Sequence, residues 1–184
     1  MNGEKEELKR LLKESFTYKM RYSLIKPNDS VNGEGISVSL WTQGCPHYCD
    51  GCFNKSTWSF DKGKEFTKTD MLNILDLLDA DKVHRNLSIL GGEPLCPENL
   101  HGVLELCAYI KKYRPSTKVF VWTGYTWEEL LVKYDTSLFN FDVLIDGKFE
   151  KGLKDLSLVL RGSSNQRIID VKKTLKSKEI VNYL

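Results

Sequence analysis

Two hydrophobic spacings alternate along the chain. In residues 36–44, "ISVSLWTQG", apolar and polar side chains alternate, which predicts a strand. In 68–80, "KTDMLNILDLLDA", Met71, Ile74, Leu75 and Leu78 recur at helical spacing behind a cap expected at Thr69 or Asp70. "LSIL", "KVFVWTG" and "FDVLIDG" are short apolar runs that close in, or directly precede, glycine, as buried strands do. "PENLHGVLELCAYIKKY" and "TWEELLVKY" between them have helical spacing. Near the start, Leu8, Leu11 and Leu12 form one side of an expected amphipathic helix over 4–15. "PNDSVNGEG", residues 27–35, has the composition of a loop.

Strands that alternate with helices imply an α/β fold with a mostly parallel sheet. Ligands of such folds sit at the carboxyl ends of the strands. "GCPHYCDGCFN", "GGEP", "TG" and "DG" all fall at such ends, so they are expected to share one site. We divide the chain into a helical extension, 1–19, and one domain, 20–184. The tail "VKKTLKSKEIVNYL" reads as a closing helix or a partner contact.

Composition narrows the class. The 184 residues are 41% hydrophobic and 28% charged, as in a globular protein with a real core. A net charge of +2 gives no argument for nucleic acid or an anionic membrane. The opening "MNGEKEELKRLLKESF" has no apolar leader, and no run has the length of a membrane span, so a cytoplasmic location is expected. There, five cysteines are expected to be thiols or metal ligands rather than disulfides.

Three of them, Cys45, Cys49 and Cys52, are spaced C-x3-C-x2-C in one loop. A structural zinc takes four protein ligands, so a zinc site would have to borrow Cys96, Cys107 or His47. Thiolates also suit iron–sulfur cubanes, which normally take four. Three would leave one iron open to a small molecule. The spacing resembles the signature of the radical S-adenosylmethionine (SAM) enzymes. In that superfamily a segment like "GGEP", Gly91 to Pro94, holds the amino group of SAM. The resemblance implies that SAM chelates the open iron and that a reduced cluster splits it into methionine and a 5′-deoxyadenosyl radical.

From about Arg21 to about Asp170 the chain resembles one family closely, the activating enzymes of anaerobic (class III) ribonucleotide reductase. "NGEG", "GCPHYCDGCFNKSTW", "GGEPL", "VWTGYTWEEL", "VLIDGKFE" and "LRGSSNQRIID" carry it. The resemblance implies a single-domain, shortened (partial) α/β barrel of mostly parallel strands. It implies a [4Fe-4S] cluster on Cys45, Cys49 and Cys52, and SAM along Gly51, Cys52 and Phe53, with Phe53 near the adenine. Gly92 and Glu93 would meet the amino group. Thr123 would reach the cofactor, and Asp146 and Lys148 would touch its methionyl end. The implied substrate is a glycine Cα of the reductase large subunit, and the implied electron donor a low-potential protein such as flavodoxin. Glu34 stands where relatives often carry proline.

Other residues get plainer expectations. Cys107, among Leu104, Leu106 and Ile110, is expected to be a buried, inert thiol. His84 and His101 are expected in solvent, and the four tryptophans in packing roles. His47 is read either as a hydrogen-bonding neighbour of the cluster or as a surface histidine. "RGSSNQR", Arg161 to Arg167, lacks a base and nucleophile pair, so it suggests recognition of the partner's glycyl loop or a capping role. Three other functions stay open on the sequence: an activase for a different glycyl-radical enzyme such as pyruvate formate-lyase, a small-molecule radical SAM enzyme, and a zinc-binding interaction module.

Overall fold

The fold is described from a computed structural model covering residues 19–184. The helix expected over 4–15 lies outside the described residues. Seven strands form one mixed sheet: β1 (Arg21–Asp29), β2 (Ser37–Thr42), β3 (Lys64–Glu65), β4 (Asn86–Gly91), β5 (Val119–Trp122), β6 (Val143–Asp146) and β7 (Arg167–Asp170). Their spatial order is β3-β1-β2-β4-β5-β6-β7. Strands β2, β4, β5 and β6 run parallel and are the four that the hydrophobic pattern predicts. The pairs β3–β1, β1–β2 and β6–β7 are antiparallel. The sheet is therefore mixed, not mostly parallel, because three strands outside the predicted set extend both of its edges. Strand β1 includes part of the expected loop. It reads poorly as a strand because it carries Pro27, and its register with β2 shifts between Lys26 and Asp29.

Four helices are present among the described residues: α1 (Lys68–Asp79), α2 (Pro97–Tyr113), α3 (Trp127–Lys133) and α4 (Val171–Ser177). Helix α1 buries Met71, Ile74, Leu75 and Leu78, as its spacing requires. Its cap is Thr67 rather than Thr69 or Asp70. The Thr67 hydroxyl accepts from the Asp70 N–H, and the Asp70 carboxylate accepts from the Thr67 N–H, forming a capping box. Helix α3 starts on the same device, Thr126 with Glu129. Helix α2 begins with Pro97, whose missing N–H costs nothing there. No helix among the described residues is long and apolar enough to cross a membrane.

Strand alternation assigns the two faces of the sheet different work. Val38, Leu40, Leu87, Ile89, Val119, Val121 and Leu144 lie on one face and join the helices in the main core. The other face carries Ser37, Ser39, Asn86 and Ser88 on β2 and β4, then Phe120, Val143 and Ile145 on β5 and β6. The small serines leave room for the loop 30–36. Ser88 Oγ donates to Asn32 O, and Asn86 Nδ2 donates to Glu34 O. A side chain at Gly33 would collide with the Ser37 and Ser88 hydroxyls. Over β5 and β6 the surface is closed by the tail, which pairs with β7 and packs Tyr183 on Phe120. Glu34 accepts from the Tyr183 hydroxyl and from Lys118, so it links that loop to the tail.

Asp29 anchors the loop. It is fully buried and accepts from the Val31 N–H, Asn32 Nδ2 and Ser39 Oγ. Burial opposes its charge, but these donors, with Lys26 beside them, hold its pKa down at about 2. Asp29→Ala leaves the donors unmatched and is expected to cost about 2 kcal/mol, which lowers Tm by about 4–8 °C for a chain of this size. Differential scanning calorimetry of the two proteins at neutral pH checks this.

Candidate functional site

The parallel strands deliver three loops to one end of the sheet. Past β2, the Gly44 and Cys45 N–H groups donate to Thr57 O and Trp58 O, which folds the cysteine loop back on itself. Past β4, the Gly92 N–H donates to Thr42 O and the Glu93 N–H to Gly44 O. A Cβ on Gly92 would stand 2.4 Å from Gly44 O, so only glycine permits this approach. Asn99 of α2 locks the junction, its Nδ2 donating to both Gln43 O and Glu93 O.

Glu93 is the hub. Its side chain is 1% exposed and each oxygen accepts twice. Oε1 takes the Leu95 N–H at 2.9 Å and the Thr123 hydroxyl at 2.7 Å. Oε2 takes His47 Nε2 and the Gly124 N–H, at 2.8 and 2.7 Å. With Glu93 as the accepting carboxylate, His47 Nε2 is the donor of this bond. The His47 ring is buried, edge-on to Tyr125, and fills the space a Cβ on Gly124 would need. The His47 side chain is therefore a buried, hydrogen-bonded group rather than a surface histidine. A buried carboxylate is tolerated because donors replace its water. Here they come from the cysteine loop (His47), the "GGEP" turn (Leu95) and the end of β5 (Thr123, Gly124).

These loops wall a cavity of about 550 Å³, a size that takes a cofactor or a small substrate. Cys45, Cys49 and Cys52 all line it, as do Gly92, Glu93 and Thr123. Burial raises the Cys45 thiol to about 11 and also raises Cys49, where the neighbouring Cys52 adds to the effect. As ligands, these thiols would give up their protons to a metal. Among the described residues no three His, Cys, Asp or Glu side chains are grouped to hold a single metal ion. A cubane asks for less convergence, since each thiolate binds an iron of its own. Cys96 and Cys107 lie in the main core away from the cavity, and burial pushes Cys107 up to about 12, as befits an inert thiol. His84 and His101 are exposed.

The remaining expected residues divide. Phe53 lines the cavity mouth and is 74% exposed, tilted against Phe149. Gly51, with φ +75°, turns the loop without lining the cavity. Lys148 is exposed, and its charge eases the burial effect on Cys49. Asp146 is buried outside the cavity lining. It accepts from the Trp127 N–H and from Arg167 Nε and Nη2, so its oxygens are engaged within the protein. Arg167 also grips Glu128 with both amino groups. Trp41, Trp58 and Trp122 line the cavity, Trp122 also packing against the Phe120 cluster, and Trp127 is buried in the main core. Trp41 follows Ser37 and Ser39 at alternate positions, so the strand period already placed it on the serine face.

Residues 31–169 match the family model described as a 4Fe-4S single cluster domain. A relative from Pasteurella multocida, named anaerobic ribonucleoside-triphosphate reductase-activating protein, is 46% identical over 81% of this chain and 96% of its own length. The Escherichia coli K12 protein of the same name is 42% identical over 80% of this chain and 96% of its own. That of Enterobacteria phage T4 is 39% identical over 81% and 93%. The chain belongs to this family of activating proteins. The family match covers the whole Glu93 junction, from the cysteine loop through β5.

Glu93→Gln replaces two accepting lone pairs with an N–H₂ group that faces donors. The variant is expected to lose about 2 kcal/mol of stability, measured by urea unfolding of the metal-free protein beside the parent.

Proposed function

We propose that the cavity holds a [4Fe-4S] cluster on Cys45, Cys49 and Cys52 with SAM against it, and that the protein is a radical SAM enzyme of the cytoplasm. Its substrate is a glycine Cα hydrogen in the large subunit of anaerobic ribonucleotide reductase. The observation that carries this reading is a cavity lined by three cysteines of one loop, and by no other cysteine, directly beside Gly92 and Thr123. When bound, cluster and SAM supply the one-electron cleavage that yields the hydrogen-abstracting radical.

The protein's part is to hold, orient and keep dry. Cys52 and Phe53 line the wall along which SAM would lie. Gly92 leaves backbone open to the amino group, whereas the Glu93 side chain has no spare lone pair and serves to fix the loops. The Thr123 hydroxyl, engaged with Glu93, contributes its oxygen lone pair and methyl to the wall. Trp41, Trp58 and Trp122 exclude water from a site in which a carbon radical must survive. Asp146, held by Arg167, acts from behind by setting the turn that brings Gly147 and Phe149 to the lining. Lys148 is exposed between the lining residues Gly147 and Phe149, and flavodoxin or a similar low-potential protein would dock outside the cavity. In this reading the central parallel strands are the staves of a shortened α/β barrel.

Cys45→Ala, Cys49→Ala and Cys52→Ala are each expected to lose the brown cluster and all SAM cleavage, while Cys107→Ala keeps both. Iron and sulfide analysis after anaerobic reconstitution checks this, and full cleavage in any of the first three rejects the ligand set. Mixing reduced protein, SAM and the anaerobic reductase is expected to give a glycyl doublet by electron paramagnetic resonance. Active SAM cleavage without that doublet rejects the reductase as substrate.

A further inference from the structure

Between β6 and β7 the chain makes a small hairpin arm over residues 153–164. Lys154 and Ser163 pair in an antiparallel bridge, the Ser164 N–H donates to Leu153 O, and the Asp155 N–H donates to Gly162 O. The base of the arm is sewn to the turn after β6. Gln166 Nε2 donates to Gly147 O, Asn165 Nδ2 to Lys148 O, and the Glu150 N–H to Ser163 Oγ. The tip is held as well. Asp155 Oδ1 accepts from the Ser157 N–H and hydroxyl, and Leu160 O accepts from Trp122 Nε1. Lys151 pairs with Asp50 of the cysteine loop, and Lys154 Nζ stands 5.0 Å from the centre of the Phe53 ring. The arm is thus fixed in place beside the cysteine loop.

What the tip carries is apolar: "LSLVL", residues 156–160. Leu158 and Leu160 are half-buried and line the cavity. Leu156 and Val159 are 82% and 62% exposed, and neither lines it. Leu153 on the arm and Phe53 beside it are exposed too. Single apolar side chains on a surface are ordinary, but several grouped on one held arm mark a surface made to be covered.

The proposed function says what covers it. The hydrogen to be removed belongs to a glycine of another protein, so a segment of that protein has to pass the rim of the cavity. The surfaces that flank the segment must then close on the rim to keep water out. Glycine has no side chain by which to be held, so the grip has to come from contacts outside the reacting residue. The arm offers such contacts at the rim, with Leu158 and Leu160 inside the cavity and Leu156 and Val159 outside it.

We propose that the arm 153–164 is a docking element for the large subunit of the anaerobic reductase, and that Leu156 and Val159 seat in an apolar surface flanking its glycine segment. The inference rests on the reading that the reductase is the substrate, and it adds residues by which that partner is recognised. It also gives "RGSSNQ" a purpose, to hold the arm at a fixed angle.

The test uses the anaerobically reconstituted holoprotein and the reductase large subunit, with binding followed by biolayer interferometry. The double variant Leu156→Ser, Val159→Ser is expected to bind the reductase about 10- to 100-fold more weakly, the effect of losing one or two anchors of an interface. Its iron content, SAM affinity and SAM cleavage without reductase are expected to match the parent. Leu131→Ser, Val132→Ser, an equally exposed apolar pair on α3, is expected to bind the reductase as the parent does. In hydrogen exchange of the parent, the amides of 153–162 are expected to slow when the reductase is added. Unchanged affinity in the arm variant, or an equal loss in the α3 variant, overturns the proposal. So does exchange in the arm that the reductase leaves unaltered. Amides of the tip already protected in the free protein, or a parent dimer that the arm variant dissociates, would give the surface to this chain itself and overturn it too. Normal reductase affinity joined to slower reduction of the cluster by flavodoxin would give it to the electron donor, with the same consequence. A parent that neither binds the reductase nor yields the glycyl doublet would instead bring down the reading that the reductase is the substrate, and this inference with it. If the arm variant fails to match the parent's circular dichroism, the exchange measurement decides, since it needs no substitution.

Discussion

Everything at the carboxyl end of the sheet hangs on one buried carboxylate. Glu93 is in the interior, so each of its lone pairs must find a donor or the group would be too costly to keep there. The four donors sit on three loops that are far apart in sequence. Satisfying Glu93 therefore means assembling the loops, and the cavity is what their assembly leaves between them. Breaking one bond would strand a donor as well as an acceptor lone pair. The junction should accordingly behave as a unit rather than as four independent contacts.

The sheet makes this possible by keeping its two faces distinct. One face is apolar across all four central strands and carries the helices. The other is cut shallow by serines on β2 and β4 and filled by Phe120, Val143 and Ile145 on β5 and β6. Loop 30–36 lies in the shallow part, and the tail covers the filled part. Glu34, Lys118 and Tyr183 join these two covers at the far side of the sheet. With that side closed, the opening remains at the strand ends where Trp41, Leu90 and Trp122 point.

The central strands and helices α1 to α3 were legible because burial on a fixed side forces a period: Met71, Ile74, Leu75 and Leu78 could hardly be anything but one helix face. The clustering of cysteine loop, "GGEP" and "TG" was legible for the same reason, since strand direction puts their ends together. The edge strands were not. Their stability comes from pairing with neighbours distant in sequence, as Arg21 with Glu65 and Asp146 with Arg167, and neither "RYSLIKPND" nor "RIID" advertises its partner. Among side chains, the three thiols stand out in the sequence by their spacing, and the fold brings all three to the cavity. Asp146 and Glu93 look from sequence like groups awaiting a ligand. Only the fold reveals that Arg167 already occupies the first and that four protein donors already surround the second.

Backbone strain points the same way. Among the described residues five that are not glycine have positive φ. Lys178 caps α4 in the left-handed conformation, an ordinary helix ending, and Asp81 and Lys82 form the tight turn after α1 that the Val83 N–H closes on Ala80 O. Tyr48 and Leu160 have no helix to end. Each costs about 1 kcal/mol or more, and each is pinned by a tryptophan of the cavity wall: Tyr48 by the edge-on Trp58 ring, Leu160 through its carbonyl by Trp122 Nε1. Strain of this kind persists only where the surroundings over-determine it. Tyr48 immediately precedes Cys49, and Leu160 immediately precedes Arg161. The two strained positions thus adjoin a thiol and a guanidinium that line the same cavity.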